Sequence, residues 1–242
     1  MQRINNLVAS LLVAVACFVF VSAATAKTVE KSTPVDSGSF GVFVNGQRVA
    51  TETFSIQQRS DASVASSEVK ATDGKNAQRA EMQLTPNGDL RRYEWHEVSP
   101  GRAQAIVEPM DEFLMERVTT EPGTKAQEKP FILPTSTLVL DDYFFSHREI
   151  LLWRYLAQAC GGKLDSCRPK KAQFGVLVPH QQVSAPIQVE FVGPEGATIG
   201  GEQRILNRFT ITSDDSVWSV WMDPLNMKVM RMSTGNTEVV RD

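Results

Sequence analysis

One stretch limits what this chain can become. Asp141 to Cys167, reading DDYFFSHREILLWRYLAQACGGKLDSC, is the only segment with a strong helical period, and short strand-like runs flank it on both sides. Ser146 followed by Glu149 reads as a capping box, with Phe145 and Ile150 placed as the hydrophobic staple around it. Gly161 stands where a left-handed helix end favours glycine. The pattern predicts a helix over His147–Cys160, roughly four turns long, within the segment 142–160. At about 100° per residue, His147, Arg154 and Gln158 fall within about 40° of one another, with Leu151 at the edge of that stripe. Ile150, Leu152, Trp153, Tyr155, Leu156, Ala157 and Ala159 spread over roughly 220° of the remainder, interrupted mainly by Glu149. A helix on the outside of a sheet needs about half that width. This one is expected to be buried round most of its circumference, as the plug or lid of a curved sheet.

The flanking runs are read as strands. Phe40-Gly41-Val42-Phe43-Val44 leads into Asn45-Gly46, a strong two-residue hairpin signal, and a long strand follows from Gln47 to Gln57. In that strand Ala50, Phe54 and Ile56 share one face. Further runs cover 62–71, 79–84, 90–98, 102–107 and 112–119, with a turn at Pro86-Asn87-Gly88-Asp89. Residues 120–130 read as an exposed loop. Beyond the helix, runs at 173–178, 186–192, 203–212, 217–222, 227–232 and 237–240 complete about twelve strands. Gly193-Pro194-Glu195-Gly196 and Gly200-Gly201 read as turn material. No helix-length crossover separates successive strands, which argues for an antiparallel meander. The expected fold is mainly β: a curved antiparallel sheet, or half-barrel, wrapped around one central helix.

Residues 1–26 have the form of a signal peptide: Arg3, an apolar run from Leu7 to Val21, then Ala24-Thr25-Ala26, so cleavage is expected before Lys27. Lipidation at Cys17 is the alternative. Residues 27–38 are expected to be a flexible tail, and 39–242 one β-rich domain. Loss of Arg3 takes the basic count from 25 to 24 against 28 acidic residues, a formal net charge of −4. The basic residues are scattered, which argues against nucleic-acid binding. No segment after the leader is apolar enough to span a bilayer. Cys160 and Cys167 remain as an even pair, expected to form a disulfide in an exported, periplasmic or secreted protein.

Catalytic signatures are sparse. Glu94 and His96 share a strand face with Arg92, either as a surface charge cluster or as an acid–base pair. His147 follows Asp141 and Asp142, too few ligands for a metal site, and His180 lies in a turn-like setting. The sequence contains no nucleophile elbow, zinc-protease, phosphate-loop or dinucleotide motif, and neither a cofactor nor a metal is expected. The C-terminal hairpin is rich in apolar groups on both strand faces: Val217, Trp218, Val220, Trp221 and Met222, then Met227, Val229, Met230 and Met232. Ordinary core packing accounts for this, and so does an adaptable apolar cavity.

The run Leu140-Asp141-Asp142-Tyr143-Phe144-Phe145-Ser146-His147, with the late hairpin Val217-Trp218…Trp221-Met222-Asp223-Pro224…Val229-Met230-Arg231, resembles a loose group of exported bacterial β-rich proteins of unknown function. The arrangement is similar to the lipoprotein-carrier half-barrels of the LolA and LolB type, which curve an antiparallel sheet around an apolar cavity covered by helices. That resemblance implies binding of acyl chains or another lipophile. The expected site is Ile150, Trp153 and Leu156 from the helix with Trp218, Trp221 and Met230 from the sheet, and the expected partner is an apolar small molecule or lipid. Two other classes stay open: a cell-envelope interaction or scaffold protein in which these residues are only core, and a hydrolase using His96 with Glu94 or His147 with Asp142.

Overall fold

Alternating burial along almost every strand curls the sheet, because the inward row must be covered by something other than water. The computed structural model describes residues 32–134, 136–167 and 171–242. The expected signal peptide, its cleavage site and Cys17 lie outside the described residues. The first half of the chain supplies β1 (Thr33–Val44), β2 (Gln47–Gln58), β3 (Ser63–Ala71), β4 (Ala77–Leu84), β5 (Leu90–Ser99), β6 (Gln104–Met110), β7 (Phe113–Thr119) and β8 (Gln127–Phe131). Then come β9 (Leu138–Val139) and the helix α1 (Ser146–Ala159). The chain closes with β10 (Lys171–Val178), β11 (Val183–Ile199), β12 (Glu202–Thr212), β13 (Val217–Met222), β14 (Val229–Thr234) and β15 (Thr237–Arg241).

The fifteen strands of the described residues form one sheet in the order β8-β7-β6-β5-β4-β3-β2-β1-β15-β14-β13-β12-β11-β10-β9. The first and last strands pair in its middle, with Phe40 opposite Arg241 and Val44 opposite Thr237. The two edges, β8 and β9, are therefore consecutive in the chain and joined by residues 132–137. No ladder pairing joins them. Lys129 Nζ on β8 donates to the Gln182 carbonyl at 2.6 Å, just beyond β10. The sheet is thus a barrel left open along a seam. Pro130 on β8 has no N–H to offer across that gap and β9 is two residues long, both devices that keep a strand edge from recruiting a partner.

The helix lies inside this curve. Ile150, Leu151, Leu152, Tyr155 and Leu156 join one apolar core with inward residues of the sheet such as Phe40, Met82, Val107, Val189, Val220 and Val239. At the exit, Gly161 and Gly162 take φ of 53° and 76°, and the Gly162 N–H donates to the Leu156 carbonyl at 3.0 Å. This is the expected left-handed termination. The Cys160–Cys167 disulfide forms and ties the helix exit to the chain returning toward β10. The hairpin at Asn45-Gly46 has φ of 52° and 77°, the positive values a two-residue turn between twisted strands demands.

Several expectations are corrected. Residues 33–38 are strand, not tail, because β1 runs from Thr33 and pairs with β2 from Gln58 onward. Part of the expected 120–130 loop is β8. The meander is not purely antiparallel: α1 is a crossover, and β9 pairs with β10 in parallel through Leu138–Val176 and Val139–Leu177. Gly193 to Gly196 do not turn the chain. They continue β11, and a register shift between Phe191 and Gly193 lets the distal β11–β12 hairpin extend to the Gly200-Gly201 turn.

The capping box does not form. Phe145 is already helical, with φ −74° and ψ −28°, and its own side chain offers no cap. A buried carboxylate from another strand takes that role: Glu52 on β2 accepts the Phe145 N–H at 2.7 Å and the Ser146 N–H at 3.3 Å. Ser146 Oγ instead meets Ser67 Oγ at 2.7 Å. Negative charge at a helix N-terminus is stabilising, and burial strengthens the contact. Two predictions follow from these anchors. Glu52→Ala strands two buried N–H groups and should lower unfolding free energy by roughly 2–4 kcal/mol in urea titration, with Glu52→Gln losing less. Replacing Cys160 and Cys167 by Ser should cost about 2–3 kcal/mol in oxidising buffer, and reductant should erase the difference from wild type.

Candidate functional site

The curve of the sheet and the tilt of the helix leave one apolar cavity, of about 310 Å³, between α1 and the inward faces of β2–β4. Ile56, Ala65 and Leu84 line it from the sheet, Leu138 from β9, and Ile150 and Trp153 from the helix. The strand residues lie there because alternation brings them inward. The helix residues lie there because three-residue spacing puts them on one side. Trp153 is fixed by its indole N–H, which donates to the Met227 carbonyl at 2.7 Å and leaves the ring face to the cavity. At the rim stand Gln58, Ser63, Asn87, Arg154 and Gln158.

Of the six expected ligand residues, Ile150 and Trp153 line this cavity. Leu156 is buried in the main core, and Trp218 packs against the same core. Arg148 lies over the Trp218 ring, with its guanidinium carbon 4.4 Å from the centroid. Trp221 and Met230 are elsewhere. They form a second apolar cluster with Ala197, Ile199 and Leu206, where the distal β11–β12 hairpin covers the other face of β13–β14. The physical reason is period 2 combined with a bulge. Trp218, Val220 and Met222 point into the curve, so Trp221 must point out, and a register shift between Trp221 and Met222 leaves Met230 on the outer side as well. The structure therefore does not bring the six together.

The helix entrance is polar and almost wholly buried. Ser146, His147, Arg148 and Glu149 are each no more than 2% exposed, and each meets a different part of the wall. His147 Nδ1 accepts the Asp141 N–H at 3.3 Å. Tyr93 Oη donates to Asp141 Oδ2 at 2.6 Å, and His180 Nδ1 stands 3.6 Å from the same oxygen. Burial works against the ionised form of Asp141, but the Tyr93 and His180 contacts and the nearby His147 hold its pKa below the ordinary value. Burial pulls His147 down to about 4, so at neutral pH it is an uncharged imidazole whose Nδ1 serves as an acceptor. Asp142 does not pair with it. Its carboxylate takes the Gln181 amide at 2.6 Å and stands 3.6 Å from Arg148. Glu149 accepts the Val229 N–H at 3.0 Å and lies 3.8 Å from Arg241, which also binds Asp36. Burial, with the Asp36 charge beside it, pushes Glu149 up to about 8.

Glu94 and His96 do meet, at 2.6 Å, on the outer face within a concavity of about 570 Å³. Glu94 also receives Arg92 at 3.1 Å and the Gln104 amide at 3.0 Å. A ladder of charge continues through Arg92–Glu108, Glu108–Arg117 and Arg117–Glu128 toward the sheet edge. A carboxylate so fully engaged is part of that surface network rather than poised as a base.

Glu52, Glu116 and Glu149 were missed as interior residues. A signal existed for Glu52: it lies at period 2 between Ala50 and Phe54 on the apolar face of its strand. Glu116 follows Leu114 in the same way. Glu149 has the spacing of a capping residue but is buried inside the curve.

No family model matches the sequence, and no curated protein does. Among solved structures, the chain is similar to the crystal structure of a β-barrel-like protein of the domain of unknown function DUF1849 from Brucella abortus. The TM-score is 0.53 and the identity 9%, over 85% of this chain and 94% of that one. The likeness is one of fold.

Glu116 has a consequence for pH. It is fully buried, and neither carboxylate oxygen has a hydrogen-bond partner among the described residues. Burial raises its pKa to about 7, with Lys129 opposing the rise and Asp141 adding to it. Below roughly pH 4.3 the carboxyl is protonated folded or unfolded. From there to about 7 only the unfolded chain ionises, so stability falls as pH rises through that window. Glu116→Gln should flatten the decline, by on the order of 3 kcal/mol, in denaturant titrations at pH 4, 5.5 and 8.

Proposed function

We propose that this chain is an exported protein that holds an apolar ligand, a lipid or the acyl chain of a lipoprotein, in the cavity between α1 and β2–β4. The observation that carries the reading is the cavity itself. A sheet able to close on its helix instead leaves about 310 Å³ of space, in the range of small-molecule sites. Its wall is aliphatic and aromatic, with polar groups confined to the rim. Export is supported by the leader-like pattern of residues 1–26 and by the Cys160–Cys167 disulfide. The charged ladder on the outward face is the reverse of the apolar band with which a membrane barrel meets lipid. No described helix is long and apolar enough to cross a membrane. The likeness to lipoprotein carriers bears on the proposal through architecture alone.

Protein purified natively from the exported fraction should release a lipophile on organic extraction, seen by mass spectrometry, and should enhance the emission of a fluorescent fatty-acid probe. Ala157 is exposed and lines the cavity, so Ala157→Trp fills the space from its open side without disturbing the core. It should weaken probe binding at least tenfold with an unchanged circular dichroism spectrum. Wild-type protein that is recovered empty and ignores such probes would remove the proposal.

A further inference from the structure

The cavity is not uniformly apolar, and its one charged lining residue occupies a particular place. Among the described residues around it, only Arg154 carries an ionisable side chain. That side chain is 13% exposed, so its charge is largely withdrawn from water, where an ionic contact is strongest. Arg154 is held at the rim by the turn between β4 and β5. Nη1 donates to the Gly88 carbonyl, and Nη2 stands 3.5 Å from Asp89 Oδ1. Gly88 has φ +82°, and a Cβ there would sit 3.2 Å from Arg154 Nη1. The turn is thus shaped to let the guanidinium lie against its backbone. A guanidinium offers five N–H donors in a planar fork, more than these two neighbours use.

Beyond Arg154 the surroundings change character. Arg154 and Gln158, one helical turn apart, also line a second pocket of about 250 Å³. There they face Ser136, Thr137 and Gln173. The two spaces therefore share one cation and one amide: the first is mainly apolar with Gln58, Ser63 and Asn87 at its rim, and the second mixes Ser136, Thr137 and Gln173 with Leu133, Pro134 and Phe174. The apolar space is at the small end of ligand sites, which run from about 300 to 1,000 Å³, and suits one hydrocarbon chain rather than the two of a membrane phospholipid.

We propose that the ligand is a single-chain amphiphile with an anionic head group, its chain in the cavity between α1 and β2–β4 and its head on Arg154 and Gln158. This rests on the apolar-ligand reading above and adds the class of head group and the number of chains. The Asp89 carboxylate shares the guanidinium at 3.5 Å, and an anionic head displaces that long contact with a shorter one.

The test is displacement of a neutral fluorescent probe from full-length, delipidated protein by compounds of one chain length: dodecanoate, dodecyl phosphate, dodecanol and dodecyltrimethylammonium. A two-chain phosphatidylglycerol is run beside them. Dodecanoate or dodecyl phosphate should displace the probe at concentrations about tenfold below dodecyltrimethylammonium and the two-chain lipid, and the better of the two acids identifies the head as carboxylate or phosphate. Arg154→Gln should abolish that preference and leave dodecanol binding unchanged. Gln158→Glu, at an exposed position, should weaken the anions about tenfold even if Arg154→Gln folds poorly. Equal binding of anion and cation, a preference that survives in Arg154→Gln, or two-chain lipid binding as well as dodecanoate would overturn the head-group and chain assignment while leaving the cavity reading intact. Failure of all the dodecyl compounds would overturn both.

Discussion

The first turn of α1 is the constraint on which the rest of the structure depends. Four consecutive polar residues, Ser146 to Glu149, enter the interior of a barrel, where an unpaired charge costs several kcal/mol. Each meets a separate contact, although Arg148 Nε and Nη1 and Glu149 Oε2 make no hydrogen bond among the described residues. Ser146 meets Ser67 and Glu52, His147 meets the Asp141 backbone, Arg148 rests on Trp218, and Glu149 takes the Val229 N–H. These partners come from β2, β3, β13, β14 and the loop after β9. A rotation or slide of the helix would break several of them at once, so its position in the curve is set by hydrogen-bond geometry. Apolar contact alone would tolerate a shift of a few ångströms.

The same arrangement explains where open space survives. The polar turn pins the helix at its N-terminal end, and the disulfide with the double-glycine exit pins the other. Between them the sheet follows its own twist. On the β2–β4 side the inward residues include Ala65 and Ala80, too short to reach the helix everywhere. On the β10–β14 side Phe191, Phe209 and Met222 fill the gap. The cavity is a matter of side-chain length on one arc of the wall, and Trp153, tied by its indole to the β13–β14 turn, forms the border between the two arcs.

Much of this architecture was legible in the sequence. The width of the apolar face of 147–160 gave the central helix, alternation gave most strands, and Asn45-Gly46 gave its turn. What escaped detection has a common origin: local pattern reports which residues share a face, not which face is inside. Val217 to Met222 is apolar on both sides, so nothing local told Trp218 from Trp221, and only the covering β11–β12 hairpin decides it. Ser146 and Glu149 have the spacing of a cap. Yet a tertiary carboxylate, Glu52, outcompetes that local solution because it satisfies two N–H groups at once. Of the candidate site, Ile150 and Trp153 could be read from helix periodicity. Arg154 and Gln158 were legible as a polar stripe, whereas their place between two pockets depends on the Gly88 turn and on Leu133, Pro134, Ser136 and Thr137, distant in sequence.

The seam between β8 and β9 has a mechanical meaning. A tube slit along its length keeps its resistance to bending but loses most of its resistance to torsion, because the two lips can slide past one another. Here the lips are joined by a short peptide and by a few polar contacts such as Lys129 with the Gln182 carbonyl, and no ladder hydrogen bond spans them. The strands beside the seam, away from the β2, β3, β13 and β14 anchors of α1, can therefore shift against one another without any strand leaving its neighbour. A fully closed barrel of the same strands would have to break backbone pairing to do so.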